Sequence, residues 1–314
     1  MKLFFTTDIH GSERCFRKFL NAAKAYRVEA LVLGGDITGK MVVPLVEEPD
    51  GRVTADVFGH VREARGAAEV DELESAIRQA GSYTVRLTRD EKNDIDRSPA
   101  EIDGLFKHAI IETTTRWMEL AKERLEPLGV PIYVSAGNDD ELYVEDVLAQ
   151  AEYVCWPEDE IVELPDGREM VSIGYSNITP FDSPRELPDD ELQRRMEKVA
   201  AGLKDPERAV FNLHCPPHST NLDAAPLLDS TLKPVYEGGT MVVAPAGSLA
   251  TRALIEQYQP LLSLHGHIHE SRASQKIGRT LSLNPGSEYS EGVLRGCLVE
   301  LKGNKIRGWQ FTSG

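Results

Sequence analysis

The sequence predicts an α/β fold, and three observations carry that prediction. Lys2 to Thr7 and Ala30 to Leu33 are short apolar runs of strand length, with a helical stretch from Glu13 to Tyr26 between them, so the chain opens as a βαβ unit. Further strand-like runs at Pro131 to Ser135 and Ala209 to Leu213 follow polar, helical segments. Beside these strands stand short runs of metal-type ligands: Asp8-Ile9-His10, Gly35-Asp36, Gly137-Asn138-Asp139-Asp140, His214-Cys215-Pro216-Pro217-His218 and Gly266-His267-Ile268-His269. Strand ends are where an open α/β sheet gathers its ligands.

Taken in order, the first helix places Phe16 and Leu20 four residues apart on one face, and the second strand delivers Gly34-Gly35-Asp36. Met41 to Val46 and Arg52 to Phe58 read as a hairpin around the Asp50-Gly51 turn. A charged helix is expected near Val61 to Gln79. A longer helix should start at Ser98-Pro99-Ala100-Glu101, where Ser can cap, Pro fits the first turn and Glu completes a capping box. Asp140 to Ala151 reads as a helix, Glu160 to Leu164 with Met170 to Tyr175 as a second hairpin, and Pro188 to Leu203 as a polar helix. Cys215 to Ala246, rich in Pro and Gly, is a long loop and a candidate substrate wall. Strand pairs including Thr280 to Leu283 and Cys297 to Leu301 close the chain.

A length of 314 residues fits one large domain or two ordinary ones. Ligand runs spanning Asp8 to His269 favour one principal domain, 1–314, with Lys40 to Gly129 as an inserted, cap-like segment. Hydrophobic residues make up 41%, enough for a substantial core. Lys plus Arg number 35 against 51 Asp plus Glu, a formal charge of −16 that works against attraction to a nucleic-acid backbone. No apolar stretch approaches the roughly 18 residues of a membrane span, and Met1 to Thr7 is too short for a signal peptide. Cys15, Cys155, Cys215 and Cys297 lie far apart, without disulfide-rich or paired metal spacing, which points to a reducing cytoplasm. Oligomeric state is not legible.

In this order the five runs resemble those of the calcineurin-like metallophosphoesterase family, its small prokaryotic phosphodiesterase-like branch above all. The resemblance covers the scaffold on both sides of the insertion. It implies a four-layer αββα sandwich, two mixed β-sheets facing each other with metals at one rim. It implies one ligand set of Asp8, His10, Asp36 and His269 and a second of Asp36, Asn138, His214 and His267, with Asp36 bridging. Two cations about 3.5–4 Å apart can neutralise a phosphoryl group and supply hydroxide near neutral pH. These oxygen and imidazole donors suit two divalent or mixed-valence ions, Mn first, with Fe or Zn behind it. The implied activity is hydrolysis of a small phosphate ester by a metal-bridging hydroxide, a diester favoured over a monoester. Asp36, Asn138, Asp139 and His218 are the candidate catalytic residues.

The chain departs from the family at Asp139, where a histidine that protonates the leaving oxygen is common. An aspartate beside two cations stays ionised and is a poor proton donor, so a steep dependence on leaving-group acidity is expected. His218 could replace that donor or contact the phosphate. Asp140 reads first as a cap of the following helix and second as an orienter of a metal ligand. In Gly266-His267-Ile268-His269, an extended backbone would put both rings on one side. His60 and His108 read as surface residues, and His265 as a satisfied core histidine.

Gly34 to Lys40 meets the Gly-x4-Gly-Lys part of a phosphate-binding loop, but Met41 replaces the required Ser or Thr and the following residues look β. A protein Ser/Thr phosphatase fits less well, because Asp36 and Asn138 lack that branch's continuations. The alternative from another class is a noncatalytic, metal-bound interaction module of the same fold.

Overall fold

The structure is a computed structural model that describes residues 1–314. Along the strand Lys2–Thr6, Leu3 and Phe5 face one side and Phe4 the other, the period of two that a pleated backbone imposes. Both sides are buried, which is why the run reads as continuously apolar.

That strand lies in a six-stranded sheet ordered Lys305–Ser313, Arg295–Lys302, Lys2–Thr6, Ala30–Gly34, Ile132–Ser135 and Val154–Cys155. The first two join antiparallel, and the last four run parallel. A second six-stranded sheet is ordered Ala273–Ile277, Thr280–Asn284, Leu262–Leu264, Val210–Leu213, Glu169–Ile173 and Ile161–Glu163, parallel at its centre and antiparallel at both edges. Register aligns Phe5, Val32 and Tyr133 in one row of the first sheet, and Met170, Val210, Leu262 and Leu281 in one row of the second. Both rows belong to a single buried cluster, the layer between the sheets.

Helices cover the outer faces. On the first sheet, helices α1 (Glu13–Tyr26), α4 (Pro99–Leu125) and α5 (Val144–Ala149) bury Phe4, Leu31, Leu33 and Val134. Phe16 and Trp117 stack there with ring centroids 4.4 Å apart, and the Trp117 indole donates to Glu13 at 2.6 Å. The second sheet is covered by α6 (Asp189–Ala200) and α7 (Leu249–Tyr258), which bury Val171, Ile173, Phe211 and Leu213. Four layers follow, helix, sheet, sheet and helix. No helix is long and apolar enough to cross a membrane.

Between Ala30–Gly34 and Ile132–Ser135 the chain builds a separate four-stranded sheet with α2 (Gly66–Gln79) and α3 (Arg89–Ile95) against it. Its small core is Val43, Leu45, Val53, Ala55, Ala64, Val70 and Ile77.

Several expected elements differ. His60–Arg65 is a strand, and the helix begins only at Gly66. The cause is a two-residue turn at Phe58-Gly59, both at positive φ (53° and 78°), which folds that strand back on Arg52–Val57. Ser98 stands at the N-cap of α4 with Pro99 following, but its side chain makes no capping bond and no capping box forms. The helix predicted from Asp140 is confined to Val144–Ala149, because the Asp140 carboxylate is engaged elsewhere. Cys215 to Ala246 is no plain loop: Ala224–Pro226 pairs with Val243–Pro245, and Tyr236–Glu237 with Thr240–Met241, forming a β-arm.

Candidate metal centre

Five parallel strands, three from the first sheet and two from the second, end at Thr6, Gly34, Ser135, Leu213 and Leu264. The five ligand runs leave from these ends and meet at one rim. Backbone bonds fasten the loops together: Asp8 N–H donates to Gly35 O, His10 N–H to Asp36 O and Gly266 N–H to His214 O, at 2.9 to 3.0 Å.

Four of the seven candidate ligands adopt left-handed backbone, Asp8 (φ 52°), His10 (φ 38°), Asp36 (φ 49°) and His267 (φ 67°). Non-glycine residues there are uncommon, and such strain collects at functional sites. The value at His267 corrects the extended reading of Gly266 to His269. The strand has already stopped at Leu264, and the two rings diverge to different partners. Two glycines let the loops close this tightly. A Cβ on Gly137 would collide with the Asp36 carboxylate, and one on Gly266 with Asp8 and Thr7.

Ligand atoms of Asp8, His10, Asp36 and His269 all lie within 4.8 Å of one another. His10 Nε2 faces His269 Nε2 at 3.0 Å and stands 3.6 Å from Asp36 Oδ2. Beside them is a second group. Asn138 Oδ1 lies 3.1 Å from His214 Nε2 and 2.7 Å from His267 Nδ1, and His214 Nε2 is 3.4 Å from Asp36 Oδ1. The two oxygens of Asp36 therefore face the two groups, while His214 Nδ1 is anchored on Gly34 O at 3.0 Å.

This rim is short of positive charge. Burial, with Asp139 and Asp8 adding to it, outweighs His214 and pushes the Asp36 carboxyl up to about 6. Asp8 is equally buried, yet the hydrogen bond to His269 and the nearby histidines hold it well below the usual carboxylate range. Burial opposes charge on His214, but Asp36 and Asp8 outweigh burial and push it up to about 10. His267 is pushed down to about 3, by burial and then by His214. Within the facing pair, burial and the charge on His269 lower His10, whereas Asp8 overcomes burial and raises His269. Protons on His214 and His269 thus stand where positive charge is needed. Buried carboxylates, converging imidazoles and an amide oxygen form a donor set that fits divalent cations in those places.

Asp139 is not among the clustered ligand atoms but borders them, its carboxylate accepting from Asn138 Nδ2 at 3.1 Å. Its backbone N–H donates to Asp36 Oδ1 at 3.0 Å, and its carboxylate pairs with Lys40 and accepts from Ser183 Oγ at 2.5 Å. Burial works against its charge, but Lys40 and Ser183 outweigh burial and hold it below its ordinary range. His218 is half-buried, its Nδ1 3.0 Å from Ser219 Oγ, and it lines the same cavity as Asp36, Asn138, Asp139, His267 and His269.

Asp140 does not cap α5. Its carboxylate accepts from Gly137 N at 2.7 Å, Ile37 N at 3.0 Å and Thr38 N at 2.8 Å, tying the Asp36 loop to the Asn138 loop. His265 is buried and bonded to Ser263 Oγ and Leu213 O, as expected, and His60 and His108 are exposed. In the sequence Lys40 stands out only as the lysine of a phosphate-binding-loop pattern, and nothing local signals its pairing with Asp139. Ser183 and Tyr289, whose ring centroid is 4.7 Å from that of His10, carried no sequence signal.

No protein-family model matches the chain. Over 178 residues it is 32% identical to the uncharacterized protein MJ1162 of Methanocaldococcus jannaschii, covering 56% of this chain and 70% of that one. TT1561 of Thermus thermophilus superimposes with a TM-score of 0.53 at 12% identity, covering 100% of this chain and 97% of that chain. A further crystal structure gives a TM-score of 0.58 at 17% identity, over 99% of this chain and 98% of that chain. At those identities the solved structures show a shared fold and nothing of substrate. The class defined by fold and rim is a two-sheet αββα protein with converging metal-type ligands. The chain belongs to the family of the archaeal protein MJ1162.

Proposed function

We propose that the protein is a hydrolase of phosphate esters that works with two bound cations, Asp36 serving both. One observation carries this reading: the two Asp36 oxygens face two separate groups of donors, Asp8, His10 and His269 on one side and Asn138, His214 and His267 on the other. Bound there, two cations supply Lewis-acid neutralisation of the phosphoryl oxygens and a hydroxide nucleophile at neutral pH. Manganese is our first choice, with iron or zinc behind it, on the oxygen-and-imidazole donor set.

The remaining roles belong to the chain. Asn138 Oδ1 and the imidazoles of His10, His214, His267 and His269 would be committed to the cations, which leaves direct contact with the phosphoryl group to His218 and Lys40. His218, with Nδ1 engaged by Ser219, offers Nε2 to a phosphoryl oxygen. Asp139 is held ionised by Lys40 and serves to position that ammonium rather than to donate a proton. Lys40 is the one Lys or Arg at the mouth and is already paired with Asp139, so the chain offers no cation for the second charge of a monoester, which supports a diester over a monoester. The segment 40–129 is read as an insertion that brings Lys40 to the rim.

Hydrolysis of bis-p-nitrophenyl phosphate by Mn²⁺-loaded protein tests the reading, with loss of turnover in Asp36→Ala expected. Protein that holds its metal and leaves this ester intact would instead support the noncatalytic interaction module.

A further inference from the structure

The cavity that contains the ligand cluster is far larger than a phosphate. It measures about 800 Å³ and runs from Asp36, His267 and His269 out between the segment 177–181, the β-arm and the start of α7. Its far wall is apolar and exposed: Ile178 and Leu249 are each 59% exposed, Phe181 63%, Leu232 48% and Leu227 41%. Large apolar side chains left open around one cavity mark a place where apolar matter binds.

Charge narrows the ligand further. Lys40 is the one Lys or Arg that lines the cavity, and it is already paired with Asp139. Asp189, in the same wall, is occupied by Ser248 Oγ and the Ala250 amide. A polynucleotide or polyphosphate needs a cation for each further phosphate, and none is offered. Phe181 is the one aromatic ring in the wall apart from the imidazoles, and the other apolar residues there are Ile, Leu, Pro and Ala, with Asn177, Thr179 and Glu270 beside them, which suits a flexible alkyl chain better than a stacked base.

We infer that the cavity takes a phosphate ester with a single phosphoryl group and an alkyl chain, as in a lipid-type phosphoester, the chain lying against Ile178, Phe181, Leu227, Leu232 and Leu249. This rests on the phosphoesterase reading for the anchoring of the phosphoryl end. The wall is held in shape by the arm's own backbone bonds, Leu227 N to Val242 O at 2.8 Å and Val235 N to Leu227 O at 2.8 Å.

The test is calorimetric binding of methyl-, butyl- and hexylphosphonate and thymidine 5′-phosphate to Mn²⁺-loaded protein. Burying a methylene is worth up to about fourfold in affinity, so butyl to hexyl should gain roughly fivefold to tenfold. The double variant Ile178→Ser, Leu249→Ser, at two exposed positions that the fold does not need, should lose most of that gain, and Ile102→Ser on α4 should keep it. Equal affinity along the series, no binding of hexylphosphonate, or tighter binding of thymidine 5′-phosphate overturns the inference. Turnover of bis-p-nitrophenyl phosphate beside a flat series would retain the phosphoesterase and discard the alkyl wall. A rising series without turnover would do the reverse.

Discussion

Asp140 and Thr38 hold two ligand loops together: the buried Asp140 carboxylate accepts from the Thr38 amide at 2.8 Å and from its hydroxyl at 2.5 Å. The same carboxylate takes the amides of Ile37 and Gly137, so the loop carrying Asp36 and the loop carrying Asn138 share one acceptor.

Replacing that acceptor should loosen both loops. Asp140→Asn turns one oxygen into a donor and leaves at least one buried amide without a partner, at a cost of about 2–4 kcal/mol. Urea unfolding should show it, together with weaker metal binding. A variant as stable as the parent would disprove the tie.

Arg185 makes a second prediction. Its buried guanidinium pairs with Glu145 and lies 3.1 Å from Glu158, over the face of Tyr175, and its amide donates to Asn138 O. Burial pushes the Glu158 carboxyl up to about 8 although it accepts from the Gly174 amide, so Arg185→Met should destabilise mainly above that pH, where Glu158 would be charged without a partner, and adding Glu158→Gln should return part of the loss. Denaturant midpoints of the single and double variants check this, and purely additive losses would contradict it.

How much of this was legible in the sequence depended on what carried the signal. Short-range signals were read: the βαβ opening, the turn at Asp50-Gly51 and the ligand runs all declare themselves within a few residues. The strand His60–Arg65 reads as helix in the sequence because five of its six residues are solvent-facing and four of those are charged or polar enough to pass for a helix surface, and Phe58 is an unusual occupant of a positive-φ turn. Asp140 was misassigned because its partners, Ile37 and Thr38, stand far away in the chain, and only the fold brings them near. The same holds for Lys40 with Asp139 and for Ser183. Local spacing can propose a ligand, but the groups that steer it come from elsewhere in the chain.

The state of Asp139 predicts the kinetics. With its carboxyl held ionised by Lys40, the leaving oxygen departs without its proton, so rates along a series of aryl phosphate diesters should fall steeply as the leaving phenol becomes less acidic. Asp139→His should flatten that line, general acids being worth about 10²–10⁴-fold for poor leaving groups. A flat line in the parent protein would refute the assignment.

Metal affinity should depend on pH with a definite sign. In the metal-free chain the Asp36 and Asp8 carboxylates overcome burial and lift His214 from 6.5 to about 10, so folding retains a proton over that window. Stability from this pairing is full below about pH 6.5 and is lost as pH rises through 10. A cation must displace the proton, so binding strengthens with pH, by about tenfold per unit for each proton released. Competition with a chromophoric chelator at pH 6 and pH 8 measures it, and equal affinities would show that His214 is not displaced.

Everything rests on Asp36 standing between two ions. Metal content of the protein and its variants, by plasma mass spectrometry after dialysis, bears on that without any assumption about substrate. Two ions per chain are expected in the parent, one in His10→Ala, one in His267→Ala and none firmly held in Asp36→Ala. Two ions retained by Asp36→Ala, or a parent chain that holds none, would show that the carboxylate is not shared.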